Sequence, residues 1–276
     1  MLLLILILGT TPLLELHAQQ LKVVSFNIRN NSTPKADGKN SWAFRRQAVF
    51  NMMTKEAPDI IGIQEALLDQ LTYIDRKFMN KYRRYGTGRE VSASRGEHTV
   101  IYYNYNKLEL ISSSSITQWL NPYPQRPFKG WDAEELHLMV VAKFREKETG
   151  KEFYYINTQL DNAGAVSRTE SIKLIAKYIL ENIPAGMTVI FGGDMNMSQI
   201  SSDFDPIKDL GLKEARSIAL KTDYRDTYNA FGKGKGSMID HFFVRYADVL
   251  KFKTMKKNFG ATYISDHYPI EMIIEL

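Results

Sequence analysis

Five short polar strings in this 276-residue chain each close an apolar, strand-like run, and their residue types are those that hold a divalent cation and a phosphate. Val23-Val24-Ser25-Phe26-Asn27 is the first. Asp59 to Ile63 leads into Gln64-Glu65, Val189 to Gly193 into Asp194-Met195-Asn196, Met238-Ile239 into Asp240, and Ile264-Ser265 into Asp266-His267. Ligands in sheet-based folds bind where strand ends converge, so carboxylates, amides and one imidazole placed this way imply one site drawn from distant segments. Hard cations such as magnesium take oxygen ligands, usually one or two carboxylates, with water and phosphate completing the shell. Glu65 follows five residues of buried-strand character, where a charge is costly unless it binds something. The alternative for it is a helix-start carboxylate serving the macrodipole. Gly192-Gly193 suits a turn where backbone passes close to a ligand; a strand-ending turn with Asp194 as helix cap is the other reading. His267 could hold a phosphoryl oxygen or pass a proton.

Asn27, Gln64-Glu65, Gly193-Asp194-Met195-Asn196, Ile239-Asp240 and Ser265-Asp266-His267, in this order, resemble the motifs of the endonuclease/exonuclease/phosphatase superfamily, the deoxyribonuclease I-like fold. The match spans residues 21 to 276. It implies an α/β (α+β) four-layer sandwich, two mixed β-sheets packed face to face with helices on both outer faces. It also implies magnesium or manganese bound by Glu65, with Asn27 and Asp266 as co-ligands or supporting partners. By the same resemblance Asp194 positions or deprotonates the attacking water, Asn196 stabilises the charged phosphorus centre, and Asp240 fixes the tautomer of His267. Such groups stabilise a pentacovalent phosphorus transition state mainly by electrostatics and positioning.

The chain departs from the pattern at Asn157-Thr158-Gln159-Leu160-Asp161-Asn162, where many relatives carry His in place of both Gln159 and Asn162. The first of those His residues contacts phosphate and can act as an acid, with a Glu partner that corresponds here to Glu97. Gln159 can donate a hydrogen bond but cannot carry a proton, and a missing general acid costs roughly 10²- to 10⁴-fold in rate. The abasic-site endonuclease branch uses a Tyr at this place, so loss of His does not by itself abolish activity. Gln159, Asn162 and Glu97, with Arg89 after Gly86-Thr87-Gly88, are the candidates for substrate or phosphate contact.

Elements able to position these groups follow from periodicity. Lys22 to Ile28 reads as a strand, and Ser41 is an N-cap for a helix carrying Ala48, Val49, Met52 and Met53, ended by Pro58. Asp59 to Ile63 is a buried strand and Leu67, Leu71, Ile74 and Phe78 are at helical spacing. Val100 to Tyr103 and Leu138 to Phe144 are strands, the latter in a hairpin through Glu148-Thr149-Gly150 with Phe153 to Asn157. Ser167 and Glu170 form a capping box for a helix with Ile172, Ile175, Ala176 and Ile179 on its apolar face. Thr188 to Phe191, Met238 to Val244 and Tyr268 to Ile274 complete the strands.

A hydrophobic content of 44% supports a substantial core, and no repeat or linker divides the chain, so residues 19–276 read as one domain. Before it, Leu2 to Leu8 is purely apolar and Leu16-His17-Ala18 ends in a small residue. Spanning a bilayer takes roughly 20 apolar residues, and Pro12, Glu15 and His17 break the stretch sooner. Residues 1–18 therefore read as a signal peptide cleaved near Ala18, making the protein secreted or periplasmic. The chain has no cysteine, which excludes disulfides, thiolate chemistry and a lipid-modified cysteine, so no stable membrane anchor is expected. A monomer is expected. The net charge of +5 is modest and means ordinary solubility or a preference for polyanions.

The functional expectation is a metal-dependent phosphoric ester hydrolase, a phosphodiesterase or nuclease-like enzyme ahead of a phosphomonoesterase or lipid-head-group phosphodiesterase on the same fold. A phosphate- or polyanion-binding protein with reduced or lost turnover is the alternative from another class, motivated by Gln159 and Asn162. Lys81-Tyr82-Arg83-Arg84-Tyr85 and Tyr123 to Trp131 interleave aromatic and basic residues that could contact nucleic acid or form amphipathic edges. Lys251, Lys253, Lys256 and Lys257 read as a solvated strand edge.

Overall fold

Alternate residues of the first strand serve two different cores: Leu21 and Val23 join one apolar cluster, Val24 and Phe26 another. Successive strand side chains point to opposite faces, so both faces of this strand are covered. The computed structural model describes residues 20–276 apart from 91, 93 and 94; the expected signal segment, 1–18, lies outside the described residues. Within them the strands are β1 (Gln20–Asn27), β2 (Ile60–Ala66), β3 (Tyr82–Gly88), β4 (His98–Asn104), β5 (Leu108–Leu110), β6 (Ile116–Trp119) and β7 (Leu138–Glu146). They continue with β8 (Glu152–Gln159), β9 (Thr188–Asp194), β10 (Lys213–Glu214), β11 (Asp240–Arg245), β12 (Asp248–Thr254) and β13 (Ile270–Glu275).

Two mixed sheets result. One has the order β12-β13-β1-β2-β4-β3, and the other β10-β11-β9-β8-β7-β5 with β6 also on β7. Their facing sides share one core, in which Leu21, Val23, Ile60 and Met272 meet Val140, Phe153, Tyr155 and Phe242. The long helices α1 (Trp42–Glu56) and α2 (Leu68–Phe78) cover the outer side of the first sheet through Val49, Met52, Leu71 and Ile74. Helix α3 (Ala165–Asn182) covers the second through Ile172, Ile175 and Ile179. The architecture is therefore the expected four-layer sandwich.

Register brings the motif residues to one edge. The parallel pair β1 and β2 sets Asn27 beside Gln64, and the parallel pair β8 and β9 sets Gln159 beside Asp194. Antiparallel β11 starts with Asp240 opposite Asp194. Beneath that edge the sheets are joined by polar side chains. Gln64 Nε2 donates to Ser25 Oγ (3.1 Å) and to Asn157 Oδ1 (2.7 Å), and Asn157 Nδ2 donates to the carbonyls of Ile63 and Val100. All three side chains are buried, so these hydrogen bonds pair the Gln64 and Asn157 amide N–H groups and pin the sheets' mutual position, while Gln64 Oε1 is left without a partner.

Three local expectations are corrected. Ser167 and Glu170 form no capping box: Gly164 is the N-cap of α3 and Ser167 is a buried residue inside it. The Asp132 carboxylate accepts from the Ser167 backbone N–H at 2.7 Å and Asp161 from that of Gly164 at 2.6 Å, so carboxylates from outside the helix cap it. Gly192-Gly193 lies within β9 and is no turn: a Cβ at Gly193 would sit 1.8 Å from the Thr158 carbonyl oxygen. Glycine serves strand packing there, not approach to a ligand, and Asp194 caps no helix. Ser41 holds the N-cap position of α1, but its side chain makes no cap hydrogen bond.

Candidate active site

A cleft of about 510 Å³ opens at this shared edge, lined by Glu65, Asp194, Asn196, Asp266 and His267 with Arg29, Asn30, Arg89, Glu97, Gln159 and Asn162. Glu65 reaches it through a break in β2: the pairing with β4 shifts register between Ile63 and Ala66, and Glu65 is left-handed at φ 63°. A non-glycine residue in that region costs on the order of 1–3 kcal/mol and is retained where surrounding structure over-determines it. Glu65 Oε1 accepts from Asn27 Nδ2 and Gln159 Nε2, both at 2.8 Å, and Oε2 from the Asn30 side chain and backbone, both at 3.3 Å. Glu65 is therefore an oriented acceptor, not a carboxylate serving a helix start.

Asn27 Nδ2 also donates to Asp194 (2.9 Å), and Gln159 Nε2 stands 3.4 Å from the same oxygen. His267 Nδ1 lies 2.9 Å from Asp240 Oδ2, and its Nε2 lies 3.8 Å from Asp194. Asn196 is left-handed at φ 49°; its Nδ2 donates to the Leu160 carbonyl (2.8 Å) while its own N–H donates to Asp194 Oδ1 (3.1 Å). Asp266 accepts from Ser265 Oγ at 3.1 Å and faces the Arg29 guanidinium at 3.8 Å.

Electrostatics sorts these groups. Burial by itself raises the Glu65 carboxyl, but the Asn27 hydrogen bond, the His267 charge and the Gln159 hydrogen bond outweigh it and hold Glu65 below the usual range. Burial raises Asp194 too; His267 opposes this while Asp240 and Glu65 add to it, and the carboxyl ends well above its ordinary value. Burial would lower His267, yet the Asp240 and Asp194 charges overcome it and hold the imidazole above its ordinary value. Glu97 is raised by burial and by Glu65, against the pull of Arg89.

The donor set fits a hard divalent cation. Glu65 and Asp266 present carboxylate oxygens to the cleft, and the carboxylates there outnumber Arg29, Arg89 and His267. Asp194, Asp240 and His267 form a second group whose ligating atoms lie within 4.8 Å of one another. Its Asp240 and His267 atoms already satisfy each other, so the oxygen-rich side at Glu65 is the better match. Asn27 orients Glu65 through its amide hydrogen, and its Oδ1 accepts from the Arg29 N–H at 3.0 Å.

All eleven residues singled out by sequence except Asn27 and Asp240 line the cleft directly, and those two lie one hydrogen bond behind it. One pairing that the resemblance implies is not formed: Gln159 does not meet Glu97. Asn30 Nδ2 donates to Glu97 at 2.6 Å and Arg89 pairs with it at 2.9 Å, while Arg89 also reaches Glu135 at 3.2 Å. The aromatic and basic segments lie elsewhere. Arg84 pairs with Asp75 (3.1 Å), Arg83 lies over the Tyr105 ring, and neither Lys81–Tyr85 nor Tyr123–Trp131 lines the cleft. Lys251 and Lys253 sit on β12, at the edge of its sheet. Sequence reasoning missed Asn30, His137 and Tyr228, whose loops carry no periodic or motif signal.

A family model described as Endonuclease/Exonuclease/phosphatase family matches residues 24–267. The chain is similar to uncharacterized protein L388 of Acanthamoeba polyphaga mimivirus, 26% identical over 92% of this chain and all of that one. Among solved structures it resembles an endonuclease/exonuclease/phosphatase from Bacteroides vulgatus, at 28% identity and a TM-score of 0.86, covering 94% of this chain and 99% of that one. It also resembles a mannosyl-6-phosphatase from Bacteroides thetaiotaomicron, at 27% identity and a TM-score of 0.84, covering 93% and 100%.

Proposed function

The chain belongs to the endonuclease/exonuclease/phosphatase family, and from that premise we propose that it is a magnesium- or manganese-dependent hydrolase of phosphoric esters, acting on phosphomonoesters of small polar alcohols such as sugars. The observation that carries the reading is the meeting of Glu65, Asp194, Asp266 and the Asp240–His267 pair in one cleft. The preference for monoesters reverses the order expected from sequence, and its reason is charge. Arg29 and Arg89, the cleft's arginines, are both paired with carboxylates, and Glu65, Glu97, Glu135, Asp194 and Asp266 line the same walls. Such a surface repels a polyanion, whereas carboxylates and amides accept hydrogen bonds from a neutral, hydroxyl-rich body. Similarity to the mannosyl-6-phosphatase supports the same choice. The Leu2 to Leu8 run ending at Ala18 supports export.

Each residue then has a task. A divalent cation held by Glu65 and Asp266 would neutralise phosphate charge and polarise the phosphorus centre. Asp194, raised toward neutrality, accepts a proton from the attacking water. His267, cationic and oriented by Asp240, donates to a phosphoryl oxygen as charge develops there. Gln159 holds Glu65 in place and offers no transferable proton.

The test is turnover of mannose 6-phosphate, p-nitrophenyl phosphate and bis-p-nitrophenyl phosphate with magnesium, with manganese and with chelator, beside Asp194→Ala. Metal-dependent monoester hydrolysis, absent in the folded variant, is the expected result. Faster diester turnover restores the nuclease-like reading, and activity surviving in Asp194→Ala defeats the assignment.

A further inference from the structure

Past Tyr228 the catalytic cleft adjoins a second one of about 460 Å³, walled by the loop from Tyr224 to Gly236 and by Lys256, Tyr263 and Tyr268. Tyr228 lines both clefts, and its ring stands edge-on to His267 with centroids 5.1 Å apart. The loop is fixed to the catalytic machinery at its base. Buried Thr227 Oγ1 accepts from the backbone N–H groups of Ile239 and Asp240, each at 3.1 Å, and the Asn229 backbone N–H donates to the Asp266 carbonyl at 2.7 Å.

Two polar groups of this cleft are engaged: the Asn229 side chain donates to the Ser265 carbonyl at 3.2 Å and accepts from the Phe231 N–H at 2.8 Å, and the Lys256 ammonium lies 5.8 Å from the Tyr268 ring centroid. Among the described residues the hydroxyls of Tyr224, Tyr228, Tyr263 and Tyr268 make no hydrogen bond to the protein, and Arg225, Asp226 and Lys256 enter no ion pair. Arg29, Arg84 and Arg89 by contrast are all paired. The walls close tightly where glycine allows: a Cβ at Gly232 would lie 2.3 Å from the Tyr263 hydroxyl, and one at Gly236 would lie 2.5 Å from Asp226 Oδ2. The cleft thus presents tyrosine rings, hydroxyls and charges of both signs, with Tyr224, Arg225 and Asp226 exposed on its rim.

We propose that this second cleft is a subsite for a sugar ring borne by the substrate beyond the phosphate ester, an assignment that rests on the phosphohydrolase reading of the neighbouring site. The C–H face of a pyranose packs on an aromatic ring, and its hydroxyls both donate and accept. Asp226 and Arg225 supply an acceptor and a fork of donors, so a few polar groups fix the ring's orientation while tyrosines supply contact area. Mixed charge selects a neutral polar ligand; a second phosphate would meet Asp226 as well as Lys256.

The experiment compares kcat/KM of the full chain on p-nitrophenyl phosphate, mannose 6-phosphate and a mannobiose phosphorylated at the 6 position of one ring. Variants are Tyr224→Ala and Arg225→Ala, both on exposed positions away from the reacting atoms. Wild type should prefer the disaccharide phosphate by about tenfold, the worth of one or two hydrogen bonds and a ring contact. Each variant should lose most of that preference through KM and keep its rate on p-nitrophenyl phosphate. Equal use of the two sugar phosphates by wild type, or an equal loss on all three substrates in the variants, overturns the subsite. A nucleoside 5′-monophosphate is run beside these three; its being preferred to the disaccharide phosphate, with that preference abolished in the variants, overturns the sugar assignment. If no ester is hydrolysed the phosphohydrolase reading has failed, and calorimetric titration with unphosphorylated mannobiose decides the subsite separately: binding lost in Tyr224→Ala supports it, and no binding overturns it.

Discussion

The His267 ring is held between two aspartates, with Nδ1 2.9 Å from Asp240 and Nε2 3.8 Å from Asp194. A carboxylate at Nδ1 requires a proton there, so Nε2 is the nitrogen left to act in the cleft. Asp240→Asn keeps the shape but removes the charge that favours the protonated ring and can turn its amide N–H₂ toward Nδ1, which disfavours a proton there. The expected result is a fall in kcat of roughly 10²- to 10⁴-fold with the fold intact. Steady-state kinetics with circular dichroism reads both, and a kcat within a few-fold of wild type would show that the pair does not orient the imidazole.

The Gln159 amide, which carries no transferable proton, donates to Glu65 at 2.8 Å and so orients it. Partners that orient a metal-binding carboxylate are worth about 10- to 100-fold in metal affinity or activity. Gln159→Leu should therefore raise the metal concentration needed for half-maximal rate by that order. Gln159→His should not raise kcat, because Glu97 is engaged by Asn30 and Arg89 and is not free to orient a new imidazole. A tenfold gain in kcat, about 1.4 kcal/mol of barrier, would mean that a missing proton donor limits turnover.

The strand-end motifs were legible because period-two burial and an abrupt polar stop are local signals. Asn27 and Asp194 end their strands, Asp240 begins one, and Glu65 stands one residue before the end of β2, all at one edge. Tyr82–Gly88 was not read as a strand, since its Arg83 and Arg84 are solvent-side residues of an edge strand stabilised by pairing with β4. The supposed cap at Ser167 failed because carboxylates 35 and 3 residues away in sequence reached the α3 amides first. Glu97 and Arg89 could be placed near the site, but their pairing with each other and with Asn30 depends on loop packing that no local pattern encodes.

Arg45 is a buried guanidinium in α1 that joins both halves of the site. It donates to the carbonyls of Asn40 (3.0 Å), Ile28, Arg29 and Ile264 (3.1 Å), so one side chain ties the end of β1 to the segment entering Ser265-Asp266-His267. Burial lowers its pKa to about 10, and the Asp266 and Asp37 charges keep it from falling further. Arg45→Met removes the donors and leaves several buried carbonyls unsatisfied, each worth roughly 1–3 kcal/mol. Urea unfolding should show a loss on the order of 3 kcal/mol or more. Activity in the fraction that remains folded should fall as well; a stable variant with full kcat would deny Arg45 this positioning part.

Asp161 caps the approach to α3 and orders the loop before β7. Its Oδ2 accepts from the backbone N–H of Glu134 (2.9 Å) and Glu135 (3.1 Å) and lies 3.1 Å from His137 Nε2, while Oδ1 accepts from Ala163 (2.9 Å) and Gly164 (2.6 Å). Burial pushes this carboxyl up, but the His137 hydrogen bond and the backbone N–H groups of Gly164 and Glu135 prevail and hold it well below the usual carboxylate range. Its folded-state pKa therefore lies below the unfolded value of about 3.9. A depressed carboxylate adds stability that is present above the unfolded pKa and is lost as pH falls through the folded one. Asp161→Asn should consequently lower the urea midpoint at pH 7, and the gap from wild type should narrow as pH drops from about 4 toward 2. A gap independent of pH would mean that Asp161 acts by shape and hydrogen bonding alone, with no stabilisation drawn from its charge.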